Sequence, residues 1–343
     1  MNISPDPFAS FRDQSLFLVW GPPSHGPRST VFARELGIKV HFVYSTKGRG
    51  LRVALRKYSY QATKTLRLLY RERPGIVFVQ SPPSFAVLFV YLYCATTRSR
   101  FVVDAHSGAL QSRHWTRPRW LYRLLARGAT ATIVTNEHFA GFVRAQGGRA
   151  LVLRDIPTEF SDDGAFPVDD AFSVTVVNTF APDEPLHEVL AAASGLEDVT
   201  FYVTGDTNRP GAAIPATIPE NVRFTGYLPD DSYYSLLKAS GAVMCLTKRD
   251  HTMQRGACEA LSLGKPIITS RWPLLEDYFH KGTVHVDNSS TGIRAGVAEM
   301  VAHHDRYQRE IVNLRQDQQR EWETAMMLMA NLLGGGAGEQ EKS

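Results

Sequence analysis

Short strand-like runs alternate with helix-like segments along the chain, and this alternation occurs in two separate blocks. In the first block, runs such as "SLFLVWG" and "GIVFVQS" are rich in β-branched and aromatic residues and precede segments of helical periodicity. In the second block, "FSVTVVNT", "VTFYVTG" and "AVMCLT" are separated by helices in the same way. Buried strands that alternate with helices form parallel sheets covered on both faces. The sequence therefore predicts an α/β protein with two doubly wound, Rossmann-like domains.

A segment rich in Pro, Asp and Gly separates the two blocks. Such composition is typical of a linker between domains. We therefore predict a first domain over residues 1–158, a linker over 159–169 and a second domain over 170–333 that includes the carboxy-terminal helices. The last residues, 334–343, read "GGGAGEQEKS" and are predicted to be a disordered tail.

The net charge of +4 conceals a strong asymmetry between the two blocks. Residues 1–155 carry 23 Lys and Arg against 7 Asp and Glu, whereas the remainder carries 15 against 27. Much of the positive charge lies in two segments where basic residues alternate with Leu, Tyr and Trp. The residues that we select there are Arg52, Arg56, Lys57, Lys64, Trp115 and Trp120. This mixture suits an anionic membrane surface. A solvated basic helix face is the alternative, and we expect no nucleic-acid partner.

The cysteines and the amino-terminal residues indicate the cellular compartment in which the protein is expected. The three cysteines have no paired spacing, so we expect reduced core residues and neither a disulfide nor a metal site. The segment "MNISPDPFASFRDQ" lacks the apolar core of a signal peptide, and the longest apolar run, 85–95, is too short to span a bilayer. We expect a cytoplasmic protein that binds peripherally to the inner face of the membrane.

The stretch "HTMQRGACEALSLGKPIITS", residues 251–270, contains one carboxylate, Glu259. Thr252 is a predicted helix cap, and the helix is expected to end before Gly264, which a buried strand then follows. On such a helix Thr252, Arg255 and Glu259 would share one face. A carboxylate there can accept two hydrogen bonds from a vicinal diol, and Arg255 with the helix dipole suits a diphosphate. The alternative is an ordinary Arg255–Glu259 pair on a solvated surface.

Several of these segments carry a family resemblance. In the second block, "VRFTGYLPDDSYYSLLKASGAVMCLTKRD" and "CEALSLGKPIITS" resemble the GT-B glycosyltransferases of the group 1, or family 4-like, type, which carry two glutamates separated by seven residues. In the first block, "RPGIVFVQSPPSFAVLFVYLYC" and "FVVDAHSGAL" resemble enzymes that add mannose to dolichol-linked chitobiose. The resemblance implies two domains that face each other across a cleft, with the acceptor on the first and the nucleotide sugar on the second. It also implies that Glu259 binds the donor ribose.

The implied activity is transfer of a sugar from a nucleotide-diphospho-sugar to an acceptor. The resemblance and the basic first block point to a lipid-linked saccharide at the cytoplasmic membrane face, as in polysaccharide or glycolipid synthesis. The nucleotide sugar is a co-substrate, and we expect no resident cofactor and no metal, because basic side chains and the helix dipole can neutralise the leaving diphosphate. A nucleotide-sugar epimerase on the same architecture is one alternative. A degenerate, non-catalytic subunit that docks a partner at the membrane is another.

The sequence departs from the family pattern at the donor site. His251 occupies the position of the first glutamate, and "VVNTFAPDEPLHE" lacks the Arg and Lys that commonly hold the diphosphate. Asn178 is the predicted donor contact in that segment. Lys248, Arg249 and Arg255 are then expected to supply the missing positive charge.

Further candidates follow other predicted strands. His106 lies where the family often has a histidine near the transferred sugar, and Asp104 beside it is a candidate base, with a turn cap as its alternative. Gly205 and Tyr227 are predicted walls for the nucleobase. In the loop "GPPSHGPRS", Gly21 and Gly26 would let the backbone approach a ligand, and His25 is a further candidate for the acceptor side.

Overall fold

The computed structural model describes residues 8–23, 27–45, 51–154, 164–169, 171–209, 214–215 and 217–334, with the side chains of 27, 28, 51 and 52 excepted. The chain divides into two compact units. The first comprises Met1–Asp155 together with Glu321–Ser343, and the second comprises Ile156–Arg320.

The first unit is built on a parallel sheet in the order β2-β1-β3-β4-β5-β6. Its strands are β1 (Ser15–Val19), β2 (Lys39–Phe42), β3 (Ile76–Ser81), β4 (Arg100–Ala105), β5 (Ala131–Val134) and β6 (Ala150–Val152). Its helices are α1 (Pro27–Leu36), α2 (Leu51–Glu72), α3 (Ser84–Thr97), α4 (Ser107–Gln111), α5 (Arg113–Thr116), α6 (Arg119–Gly128) and α7 (Glu137–Ala145). The order reverses between β1 and β3, so the loops after these strands diverge there and leave a crevice at the carboxyl edge.

Strand periodicity explains why both faces of this sheet are covered. Leu16 and Leu18 belong to one apolar cluster, and Phe17 and Val19 to another on the opposite face. Successive side chains of a strand point to opposite faces, so a run without polar residues requires helices on both sides. All six residues of β3 are accordingly buried.

The second unit has a parallel sheet in the order β12-β11-β10-β7-β8-β9. Its strands are β7 (Phe172–Val176), β8 (Val199–Thr204), β9 (Val222–Gly226), β10 (Ala242–Cys245), β11 (Ile267–Ser270) and β12 (Thr283–Val286). Its helices are α8 (Leu186–Ala193), α9 (Asp230–Ala239), α10 (Arg255–Ser262), α11 (Pro273–Tyr278), α12 (Ser290–Ala302) and the first part of α13 (His304–Gly334). The predicted architecture of two doubly wound α/β domains is confirmed.

Two features of the second unit differ from the prediction. The sequence predicted only helices after β11, but Thr283–Val286 forms β12 at the edge of the sheet, paired with β11. The predicted second domain also extended to residue 333, whereas the structure assigns Glu321–Ser343 to the first unit. The reason is packing: Met326, Met329 and Leu333 of α13 belong to the apolar cluster of the first unit.

Candidate functional site

The candidate donor site lies at the carboxyl edge of the second sheet, where the strand order reverses between β7 and β10. Two loops meet there, one after each strand. The backbone N–H of Lys248 donates to the carbonyl of Asp183 at 2.7 Å, and the Thr247 hydroxyl donates to the Asp183 carboxylate at 3.0 Å. Crevices at such reversal points are where ligands bind in open α/β sheets.

Helix α10 begins later than the sequence predicted. It starts at Arg255, with Gln254 as the capping position and no capping bond from a side chain. The Thr252 hydroxyl instead donates to the carbonyl of Asp250 at 3.3 Å. The predicted cap at Thr252 is therefore wrong, and Thr252 does not share a helix face with Arg255 and Glu259. The backbone before α10 is not helical, since His251 has a φ of 55° and its N–H donates to the Asp250 side chain at 2.6 Å.

Glu259 is a buried carboxylate held at both oxygens. Its side chain is 11% exposed, Oε1 accepts from Arg255 Nε at 2.7 Å, and Oε2 accepts from the Tyr233 hydroxyl at 2.7 Å. Arg255 and Glu259 do form the i,i+4 pair of the alternative interpretation, but Glu259 is not on a solvated surface. A buried carboxylate with two donors is a fixed polar group rather than part of a solvent-exposed helix face.

Sequence reasoning missed Tyr233, which lies on α9 in the segment "DDSYYSLLKAS". No local pattern distinguishes it from a packing residue, because its partner is distant in the chain. Burial raises the pKa of Tyr233 far above its ordinary range, and the charge of Glu259 acts in the same direction. Burial likewise raises the pKa of Tyr234 to about 12. Both phenols are therefore neutral at physiological pH, and Tyr233 is a hydrogen-bond donor.

The cations predicted for the diphosphate are each paired with a carboxylate. Lys248 Nζ lies 2.8 Å from Glu188, and Arg249 lies 3.4 Å from Asp183. Burial, the largest single effect, would by itself raise the pKa of Glu188, but the hydrogen bond from Lys248, a backbone hydrogen bond and the nearby positive charge together lower the pKa. Both cations are well exposed, at 47% and 66%, so these pairs contribute little to stability and can be exchanged for another anion.

The loop after β7 is held together by hydrogen bonds to Glu184, and it lacks the basic residues that would bind a diphosphate. Glu184 accepts from the backbone N–H groups of Thr179 and Ala181 at 2.9 and 2.8 Å, and from the Thr179 hydroxyl at 2.9 Å. Asn178 is buried, and its side chain accepts from the N–H of Phe180 at 2.7 Å. Asn178 therefore stabilises the loop from within, and the unusual acidic composition of this segment has a structural cause.

Gly205 and Tyr227 directly follow the neighbouring strands β8 and β9. Gly205 has a φ of 113°, and a Cβ there would overlap the carbonyl oxygen of Asn178, so no other residue fits without a backbone shift. Tyr227 is 75% exposed. The exposed ring of Tyr227 and the close contact between the Gly205 and Asn178 backbones are compatible with the predicted walls of a nucleobase site.

The candidates of the first unit cluster at the carboxyl ends of its strands. Asp104 on β4 has no exposed surface, and its Oδ2 accepts from the Ser29 hydroxyl at 2.9 Å and lies 3.3 Å from His106 Nε2. His106 precedes α4 and makes no side-chain capping bond. Gly21 is buried after β1. The predicted loop residues His25 and Gly26 lie outside the described residues.

The predicted membrane residues lie on three helices. Arg56, Lys57 and Lys64 on α2 are exposed, and Trp120 on α6 is 67% exposed, whereas Trp115 is half-buried. The side chain of Arg52 lies outside the described residues. Helix α3 packs against both α2 and α6, so these helices form a single layer on one face of the sheet. Within the described residues, no helix is long and apolar enough to cross a bilayer.

Sequence comparison assigns both units to known families. The glycosyl transferase 4-like domain family matches residues 13–158, and a glycosyl transferase-like family matches residues 184–329. The chain belongs to the group 1, GT4-like glycosyltransferases. The enzyme therefore performs glycosyl transfer. A comparison with curated protein sequences found no match.

Solved structures agree on the fold. Anabaena HepE in complex with UDP and glucose superposes with a TM-score of 0.67 at 14% identity over 94% of this chain and 99% of that one. Sucrose-phosphate synthase from Thermosynechococcus elongatus gives 0.64 at 12% identity over 94% and 98%. A putative UDP-N-acetylglucosamine 2-epimerase from Listeria monocytogenes gives 0.60 at 11% identity over 87% and 91%. At these identities the likeness establishes the two-domain GT-B fold, as the resemblance implied.

Proposed function

We propose that the enzyme takes its sugar from a nucleoside diphosphate sugar bound by the second unit, with Glu259 binding the ribose. The observation that carries the proposal is the buried carboxylate of Glu259 on α10, held by Arg255 and Tyr233. Helix α10 begins at the β7–β10 crevice, where Gly256 approaches Val177 and Cys245 closely. Each carboxylate oxygen has about two acceptor positions and uses one, so the group retains capacity for a vicinal diol. HepE structures with UDP and with UDP-glucose support a uridine nucleotide as the first candidate.

The diphosphate has three sources of positive potential near this carboxylate. The first turn of α10 has no side-chain cap, so its N–H groups and the helix dipole are available to an anion. Lys248 and Arg249 would exchange Glu188 and Asp183 for phosphate oxygens. The leaving group is then neutralised by the chain itself, and the proposal includes no resident metal. His251, in place of the family's first glutamate, is a contact for the donor sugar.

A lipid-linked acceptor at a membrane is the second part of the proposal, and the outer surface of α2, α3 and α6 supports it. Large apolar side chains are exposed there beside the basic residues, including Leu55 at 61%, Phe85 at 41% and Leu124 at 40%. Exposed apolar groups among Lys and Arg favour the boundary between anionic headgroups and acyl chains. We name this surface the α2–α3–α6 face.

Calorimetry with UDP and GDP tests the donor site. Glu259→Gln should weaken binding of the preferred nucleotide by about 1–3 kcal/mol, since a charged hydrogen-bond acceptor is lost. The matched control is Glu276→Gln, because Glu276 is an exposed glutamate of the same unit, 3.8 Å from Arg271. Unchanged affinity in a folded Glu259→Gln protein would return Glu259 to a structural role. Conversion of the sugar while it stays on the nucleotide would favour the epimerase alternative.

Co-sedimentation with liposomes tests the membrane part. Reversal of Arg52, Arg56, Lys57 and Lys64 to Glu should abolish binding to anionic liposomes, since each basic residue near the surface contributes about 1 kcal/mol. Binding of the native chain should weaken as salt shortens the Debye length from about 10 Å at 0.1 M to about 3 Å at 1 M. Four charge reversals at exposed basic residues of the second unit are the control. Equal binding to neutral and anionic liposomes, or none to either, would favour a soluble acceptor.

A further inference from the structure

Four polar side chains form a cluster in the first unit, where β3, β4 and the start of α1 meet. The members are Ser29, Gln80, Asp104 and His106. Ser29 and Asp104 have no exposed surface, and Gln80 is 6% exposed. Burial of so many polar groups destabilises a fold unless their hydrogen bonds are satisfied, and titratable groups in such networks concentrate at functional sites.

The distances within the cluster decide which ring nitrogen of His106 carries hydrogen. Nε2 lies 3.3 Å from Asp104 Oδ2 and 3.4 Å from Ser29 Oγ. The single Ser29 proton is directed to Asp104 Oδ2 at 2.9 Å or to Gln80 Oε1 at 3.0 Å, so Oγ turns a lone pair towards His106. Both atoms that face Nε2 are therefore acceptors. An unprotonated Nε2 would place its own lone pair against them, so Nε2 is the protonated nitrogen.

The other ring nitrogen is the one that remains for a ligand. The His106 side chain is 25% exposed, and within the described part of the chain the polar contacts of its ring all involve Nε2. In neutral imidazole with hydrogen on Nε2, the second nitrogen, Nδ1, is an acceptor. Asp104 itself has no exposed surface, so it cannot contact a ligand directly.

We propose that Asp104 and Ser29 are positioning residues that fix the His106 tautomer, so that Nδ1 accepts a hydrogen bond from a saccharide hydroxyl. The assignment of that hydroxyl to a saccharide rests on the proposed sugar transfer. The tautomer of His106 rests only on the distances within the cluster. The role of Asp104 is thus to orient a ring, and the predicted role as a direct base is replaced by one that acts through His106.

Long-range ¹H–¹⁵N spectra of the full chain labelled with ¹⁵N-histidine report the tautomer directly, and His106→Gln assigns the signal. We expect hydrogen on Nε2 in the native protein at pH 8.5. Asp104→Leu and Ser29→Ala each remove an acceptor and should increase the Nδ1–H form. Asp104→Asn keeps an acceptor oxygen and should restore most of the native signal. Thr65→Val is the matched control, because it removes a buried hydroxyl that accepts from Trp20 at 2.8 Å in the same unit.

A kinetic measurement separates positioning from a structural role. With UDP-glucose as the probe, kcat for sugar release should fall at least tenfold in Asp104→Leu and Ser29→Ala, while the Kd for UDP stays unchanged because UDP binds the other unit. Thr65→Val should leave kcat near the native value. An Nδ1–H tautomer in the native protein, or one tautomer in all variants, overturns the proposal. Failure of UDP to bind the native chain would contradict the proposed function, while the spectra still decide the role of Asp104.

Discussion

Replacement of Tyr233 by Phe removes one hydroxyl from the site and changes almost nothing else. That hydroxyl donates to Glu259 Oε2 at 2.7 Å, and the Glu259 side chain is only 11% exposed. After the change, Arg255 is the one remaining donor to the carboxylate among the residues that the structure describes. Because Glu259 has little access to water, the lost bond is not replaced by solvent.

The expected cost follows from the kind of bond that is lost. Hydrogen bonds to charged groups contribute about 1.5–3 kcal/mol, and the 2.7 Å distance is that of a strong, charge-assisted bond. For a unit of this size each kcal/mol lowers Tm by about 2–4 °C, so Tyr233→Phe should lower the Tm of the second unit by about 3–12 °C. UDP affinity should fall as well, because the carboxylate is less firmly oriented.

Urea unfolding and calorimetry of the full chain measure this effect, and Tyr307→Phe is the matched control. Tyr307 also bonds a glutamate, Glu299, at 2.9 Å, but that carboxylate is 42% exposed, so its loss should cost well under 1 kcal/mol. A double-mutant cycle of Tyr233→Phe with Glu259→Gln should give a coupling energy of about 0.5–3 kcal/mol. If Tyr233→Phe is as stable as the native chain and the coupling is zero, the bond does not support Glu259 and the reasoning fails.

Glu188→Gln should raise UDP affinity several-fold in calorimetry, because it releases Lys248 for the diphosphate, and a lower affinity would show that the pair shapes the site. Gly205→Ala should lower the free energy of unfolding by more than about 2 kcal/mol in urea titrations, since its φ of 113° and the close approach of the Asn178 carbonyl exclude a Cβ. Gly141→Ala, on α7 with open space around it, should instead stabilise by about 0.5–1 kcal/mol, and equal effects would refute the steric argument. All three cysteines are buried, and burial raises the pKa of Cys94 to about 12, so a thiol reagent at pH 8 should label no cysteine of the native chain and all three after unfolding. The sign of this shift also predicts that stability declines as pH rises above about 8.5, where only the unfolded thiol ionises.

The sequence by itself determined the two α/β blocks and most of their strands. It could do so because burial leaves a pattern in the sequence: a strand with helices on both faces contains an unbroken apolar run, such as residues 76–79 of β3. The position of Glu259 within a helix between two buried strands followed from the same local rules. The asymmetry of charge is likewise a property of composition, and the helical spacing of the basic residues predicted the helix that forms α2.

The tertiary structure decided what these residues contact. Tyr233 reaches Glu259 because α9 and α10 belong to the same apolar cluster as β10, and no spacing along the chain encodes that meeting. The pairing of Lys248 with Glu188 depends on β7 lying beside β10, which the strand order sets. The start of α10 at Arg255 and the edge strand β12 also depend on neighbours rather than on local propensity. Local patterns specify which face of an element is buried, whereas contacts between distant residues form only after the order of the strands has brought their loops to the same edge.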